Sequence, residues 1–85
     1  MTNDIVPRSG SATDIEAWLV RRIGALMDVA PDQIDAELPF ATYGLDSVAA
    51  VGLVGELEEY LRIDIPPTVM WDFPTISQLV RHLAS

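Results

Sequence analysis

Residues 44–56 read GLDSVAAVGLVGE, and within them Asp46 and Ser47 are the residues best placed to do chemistry. Aspartate is a strong helix cap, and a serine directly after it stands at the first helical position. A phosphate attached to the Ser47 hydroxyl would sit at the positive end of that helix. There, free backbone N–H groups and the helix dipole favour an anion. The plain alternative is a cap followed by a serine of an ordinary first turn. Ser47 also ends a long loop, where an attached group would be open to another protein.

The other reactive side chains form no catalytic set. His82 is the only histidine and lies beside Arg81 in the last helical segment, a setting that suits a solvated side chain better than a general base. The chain has no cysteine, which removes disulfides and thiolate metal sites. Ser47 therefore lacks the partnered base of a nucleophilic triad. The carboxylates lack calcium-loop spacing, and glycine-rich phosphate loops are absent. Trp18 and Trp71 fall among periodic apolar positions and are expected in the core.

Thirteen Asp and Glu face five Arg, and the formal net charge is -8. Such a surface repels phosphate backbones, so no nucleic-acid partner is expected. It is drawn instead to basic protein surfaces, chiefly through faster association. The same charge also keeps a small apolar domain soluble. Apolar residues make up 49% of the 85-residue chain, enough for one packed domain, and no apolar run is long enough to span a bilayer. The opening residues lack the apolar stretch of a signal peptide. A cytoplasmic protein without membrane contact is expected.

The position of the Ser47 hydroxyl depends on the helices around it. Residues 1–12, MTNDIVPRSGSA, lack apolar periodicity and are expected to form a flexible tail ahead of a domain over residues 13–85. Thr13 with Glu16 forms a capping-box pattern. Ile15, Trp18, Leu19, Ile23 and Leu26 follow helical spacing, which predicts a first helix over about residues 14–28. APDQIDAELPFATYG then reads as a long loop with one helical turn near Asp32 to Asp35, pinned to the core by Ile34, Leu38 and Phe40.

The second helix is predicted from about Ser47 to Leu61, with Ala50, Leu53, Val54, Leu57 and Leu61 on its core face. Its opposite side carries Val48, Gly52, Gly55 and Glu59, with Val51 on the flank. Each glycine there costs about 1 kcal/mol relative to alanine. A partner approaches closely, or the long loop packs on them, or small residues are simply tolerated. After Pro66 and Pro67, TVMWDF has room for only a short third helix. Thr75 and Gln78 repeat the capping-box pattern, and Ile76, Leu79, Val80 and Leu83 predict a last helix of about ten residues. The expected fold is all-α, an antiparallel four-helix bundle of three principal helices plus a short third, with a long loop between the first two.

At YGLDSV the sequence resembles the acyl carrier protein family, whose phosphopantetheine attachment motif sets a serine after an aspartate at the start of the second helix. AAVGLVGELEEYL is similar to the rest of that helix, and IDIPPTVMWDFPTISQLVRHLA to the run into the last two. The WDFPT block is most similar to carrier domains of modular polyketide synthases, and the likeness covers about residues 13–84.

The resemblance implies that Ser47 is esterified with 4'-phosphopantetheine by a phosphopantetheinyl transferase using coenzyme A, Asp46 being the family's aspartate before it. It implies a non-catalytic monomer, without metal, whose arm carries acyl or polyketide intermediates as thioesters. Ketosynthase, acyltransferase or acyl-activating enzymes would be its partners. A partner surface is implied at Leu45, Val48, Val51, Gly52, Gly55, Glu58, Glu59 and Met70. Val48 replaces the family's usual leucine, Val51 would line the arm's path, and Met70 lies in the short helix near it. Gly52 stands where many members carry glutamate, Gly55 replaces a larger residue, and Arg62 stands where polyketide carriers often have glycine. The LDS triplet separates the chain from peptidyl carriers, which typically show GG before His or Asp and Ser. A peptidyl or fatty-acid carrier is the next reading. From other classes come an acidic helical interaction module, with Ser47 only a cap, and a small hydrolase using Ser47.

Overall fold

The computed structural model describes residues 11–84. Residues 1–10, most of the expected tail, lie outside the described residues. Four helices follow in order: α1 (Ala12–Met27), α2 (Ser47–Leu61), α3 (Val69–Asp72) and α4 (Ile76–Ala84). Short 3-10 turns at Pro31–Gln33 and Phe40–Tyr43 punctuate the α1–α2 loop. The only β pairing among the described residues is an isolated antiparallel bridge between Pro39 and Thr75.

The core forms where the apolar stripes of the three long helices meet. Ile15, Leu19 and Ile23 of α1, Leu53 and Leu57 of α2, and Ile76 and Leu79 of α4 are all fully buried in one cluster. Each such side chain contributes about 1.5–3 kcal/mol on leaving water. The whole expected core face of α2 is buried: Ala50, Leu53, Val54, Leu57 and Leu61. On the α1–α2 side, Trp18 stacks on Tyr60 with ring centroids 5.4 Å apart. Arg22 grips Glu56 there with two parallel hydrogen bonds, Nη2 to Oε2 at 2.9 Å and Nε to Oε1.

Local expectations fail where a short pattern competes with tertiary context. α1 begins at Ala12, inside the expected tail, so Thr13 is already helical and cannot cap. Ser11 takes the cap position with its backbone, its carbonyl accepting the Ile15 N–H at 2.9 Å. Trp18 is only half-buried, and Leu26 is 39% exposed although it keeps the α1 period. Leu38 does not pin the loop, whereas Phe40 is buried and Ile34 packs against the core. His82 is not simply solvated: its ring stacks on Phe73 at 4.1 Å. At the second capping-box pattern Thr75 caps α4 as the spacing predicts, Gln78 N–H donating to Thr75 Oγ1 at 3.1 Å.

Hydrogen bonds close the long loop into a platform under the start of α2. The Tyr43 hydroxyl donates to the Asp35 carbonyl at 2.7 Å and accepts the Asp35 N–H at 2.6 Å. Phe40 N–H donates to the Pro74 carbonyl at 2.8 Å, and Ser77 N–H to the Ala36 carbonyl at 2.9 Å. The Ser77 hydroxyl donates to Glu37 at 2.5 Å. Gly44, at φ 83°, then turns the chain into α2 in a conformation that favours glycine.

Candidate functional site

The α2 N-terminus is built by the residues that flank Ser47. Asp46, in an extended conformation, caps the helix: its Oδ1 accepts the Ala49 N–H at 2.8 Å. Its carbonyl accepts the Ala50 N–H at 2.8 Å. The N–H groups of Ser47 and Val48 precede the first intrahelical bond and form the positive end of the helix. Ser47 is exposed, and its hydroxyl engages no protein group among the described residues. A hydroxyl so placed can be esterified without breaking any internal bond.

Beside Ser47 runs a groove of about 220 Å³ lined by Pro39, Phe40, Ala41, Leu45, Asp46, Ser47, Ala50, Met70, Trp71 and Pro74. Three segments meet there: the platform loop, the start of α2 and the α3–α4 connection. Leu45, expected on the partner surface, is instead buried in its wall, as is Met70. Trp71 corrects another expectation. It is 56% exposed rather than core, because α3 is a single turn whose inward places are taken by Val69 and Met70. Pro39, Phe40, Ala41, Ala50 and Pro74 were not legible as site residues, while Trp71 was expected near the site but in the core. The sequence signals for this wall were the loop's apolar anchoring through Phe40 and the resemblance, which sets the short helix of Met70 near the arm.

The remaining candidates lie elsewhere. Val48 is 80% exposed and Val51 is 47% exposed, and neither lines the groove, so Val51 does not border a path along it. Gly52, Gly55, Glu58 and Glu59 share a second, open depression of about 690 Å³ with Glu56, Arg62, Ile63 and Asp64. A Cβ on Gly52 or Gly55 would meet nothing within 4 Å, so the loop does not pack on these glycines. Four carboxylates face one guanidinium in this depression, and two of the four are engaged internally. Glu58 accepts the Ile65 N–H at 2.7 Å, tying down the chain after α2. Hydrogen bonding from Arg22 holds the Glu56 carboxyl below its ordinary value, and the same bond raises Arg22.

No helix among the described residues is long and apolar enough to cross a membrane. Residues 17–83 match the family model described as phosphopantetheine attachment site. The chain is 34% identical over 83 residues to mellein synthase of Phaeosphaeria nodorum, a match covering 92% of this chain and 5% of that protein. The chain spans only 4–5% of the lengths of the curated relatives it matches first. Among solved structures, it resembles an acyl carrier protein from Anabaena sp. PCC 7120 with a variant phosphopantetheinylation-site sequence, at TM-score 0.83 and 37% identity, covering 99% of this chain and 93% of that one. It also resembles a free-standing peptidyl carrier protein from Acinetobacter baumannii, at TM-score 0.80 and 34% identity, covering 87% and 92% of the two chains.

Proposed function

The chain belongs to the phosphopantetheine-attachment family of acyl carrier proteins, and we propose that Ser47 is the residue that holds its arm. It is a carrier domain, with phosphopantetheine as its cofactor. The observation that supports Ser47 is an exposed, unengaged hydroxyl on a capped helix N-terminus beside an apolar groove. In this reading a separate transferase activates the hydroxyl, whose oxygen forms a new P–O bond to the pantetheine-bearing phosphate of coenzyme A. The diphosphate link breaks, adenosine 3',5'-bisphosphate leaves, and the transferase takes the serine proton. The arm supplies the thiol that this cysteine-free chain lacks. The Ser47 and Val48 N–H groups would hold the phosphate, and the α2 dipole would offset part of its charge.

The cargo in this reading is an acyl or polyketide intermediate, supported by the likeness to mellein synthase. Ketosynthase and acyltransferase partners meet the carrier at Val48 and Val51, while Gly52, Gly55 and Glu59 present a second, acidic face to them. Tethering keeps the cargo at high effective concentration near each partner. The same proposal holds that the carrier domain spans about residues 13–85 and works in a cytoplasmic setting, where coenzyme A is at hand. The second reading, a peptidyl carrier, is favoured by the likeness to the Acinetobacter protein.

Intact mass after incubation with coenzyme A and a promiscuous phosphopantetheinyl transferase tests the site. Wild type should gain one arm and Ser47→Ala none. Absence of any gain with several transferases would overturn the reading, and a gain that survives Ser47→Ala would overturn the site. Acylation of the holo form by polyketide-type acyltransferases, against aminoacylation by adenylating enzymes, separates the two cargo readings.

A further inference from the structure

We infer that Tyr43 is a positioning residue for loading of the arm: its hydroxyl ties the loop before α2 into the arrangement that presents Ser47 to the transferase. The role rests on Ser47 being the attachment residue. A single phenol oxygen closes the loop. It donates to the Asp35 carbonyl at 2.7 Å and accepts the Asp35 N–H at 2.6 Å, bridging 8 positions of chain. Asp35 is itself a node. Its carbonyl also accepts the Leu38 N–H at 3.1 Å, and its Oδ1 accepts the Glu37 N–H at 2.9 Å. The next two residues hold α4, Ala36 through its carbonyl and Glu37 through its carboxylate, both on Ser77. On the other side of the tie, only Gly44 and Leu45 separate Tyr43 from the cap Asp46. Tyr43 thereby connects the start of α4 to the start of α2. Pro39, Phe40 and Ala41, which line the groove beside Ser47, all lie within the span that it closes.

Two features separate this tie from ordinary stabilisation of the bundle. Its bonds are exposed, and water replaces an exposed bond that breaks at little net cost. Gly44, at φ 83°, directly follows the tie. Glycine reaches more backbone conformations than any other residue, so the chain on either side of it must be held from outside. Buried Leu45 holds one side, and Tyr43 holds the other. Without the tie the loop exchanges among several arrangements, and only a fraction of the molecules present Asp46 and Ser47 as the transferase needs them. Apparent affinity falls by that fraction, while the complex, once formed, has the same geometry and reacts at the same rate. Tyr43 does not line the groove, and its one hydrogen-bond donor is spent on Asp35.

Tyr43→Phe keeps the ring and removes only the hydroxyl. Steady-state loading of the full chain, with coenzyme A and a promiscuous phosphopantetheinyl transferase, reads the effect. The KM for the carrier should rise about fivefold, the population lost with one hydrogen bond, while kcat is unchanged. Amide exchange at Asp35 should quicken, with the centre of α2 exchanging as in wild type. Trp18→Leu removes the stack on Tyr60 at the opposite end of α2 and serves as the stability control. It should unfold at lower denaturant yet load with the wild-type KM. A Tyr43→Phe chain that loads with the wild-type KM would overturn the role, as would a loss confined to kcat. A KM rise shared by Trp18→Leu would reduce Tyr43 to a contribution to stability and overturn it too. A wild type that takes no arm would overturn the attachment reading itself and this role with it.

Discussion

The carbonyl oxygen of Val29 stands 2.6 Å from where a side chain on Gly24 would begin. Gly24 is buried in α1, and its own carbonyl accepts the Val29 N–H at 2.9 Å. The chain after α1 therefore folds back across the space that a Cβ would fill. Nothing comparable surrounds the α2 glycines.

Opposite signs follow for the same substitution. Gly24→Ala should destabilise, because the backbone oxygen it meets is held by the helix end and must shift. Gly52→Ala and Gly55→Ala should each stabilise by about 1 kcal/mol, since they gain helix propensity without a clash. Urea unfolding of the single variants measures both. Gly52→Glu should likewise fold, and turnover with partner enzymes should change, because the added carboxylate lies on open surface. Unfolding of that variant would show that the glycine is a packing requirement.

Asp46→Ala should cost about 1 kcal/mol through the lost cap. The first turn of α2 would then fray, and arm loading at the neighbouring Ser47 should slow. Asp46→Asn keeps an acceptor for the Ala49 N–H and should recover most of the stability. Denaturant midpoints together with loading rates by mass distinguish lost cap geometry from lost charge.

Arg62 ends α2 at φ 59°, its N–H donating to the Glu58 carbonyl at 2.7 Å. The helix thus ends as a glycine-terminated helix would, with an arginine in the left-handed conformation. Because that conformation costs an L residue about 1–2 kcal/mol, Arg62→Gly should raise stability by about 1 kcal/mol. A thermal unfolding shift to lower temperature would refute this account of the helix end.

Glu56 should contribute an acid-sensitive component of stability. Its folded-state pKa is lowered from the ordinary 4.5, chiefly by the hydrogen bonds from Arg22. The contribution is complete above about 4.5, the unfolded-state value, and is lost as pH falls through the lower folded value. Both side chains are more than a third exposed, so solvent screening keeps the effect small. Glu56→Gln should be less stable than wild type at neutral pH, and the gap should close in acid. A gap that stays constant from neutral pH to well below 4.5 would remove the pair from the account.

The α2 core face was legible because five apolar residues keep one helical period over about three turns, and Asp46 marks its start. Thr13 misled because a four-residue capping pattern carries no information about chain upstream of it. α3 is one turn, too short for a period to separate the buried Met70 from the exposed Trp71. The groove was legible only in part, through Leu45, Asp46, Ser47 and Met70. Its walls come from three separate segments, residues 39–41, 45–47 with Ala50, and Met70, Trp71 and Pro74, and no local pattern records their meeting. The His82–Phe73 stack likewise exists only once the α3–α4 turn brings the rings together.

The bonds from Phe40 to Pro74 and from Ala36 to Ser77 also impose a timetable on synthesis. A nascent chain can wind α2 and display Ser47 well before residues 74–77 have left the ribosome. Until they emerge, the loop before α2 lacks its two backbone bonds to the start of α4, and domains fold as units. The floor beneath Ser47 is therefore laid last. A transferase that needs this floor would meet its substrate only once the domain's translation is nearly complete.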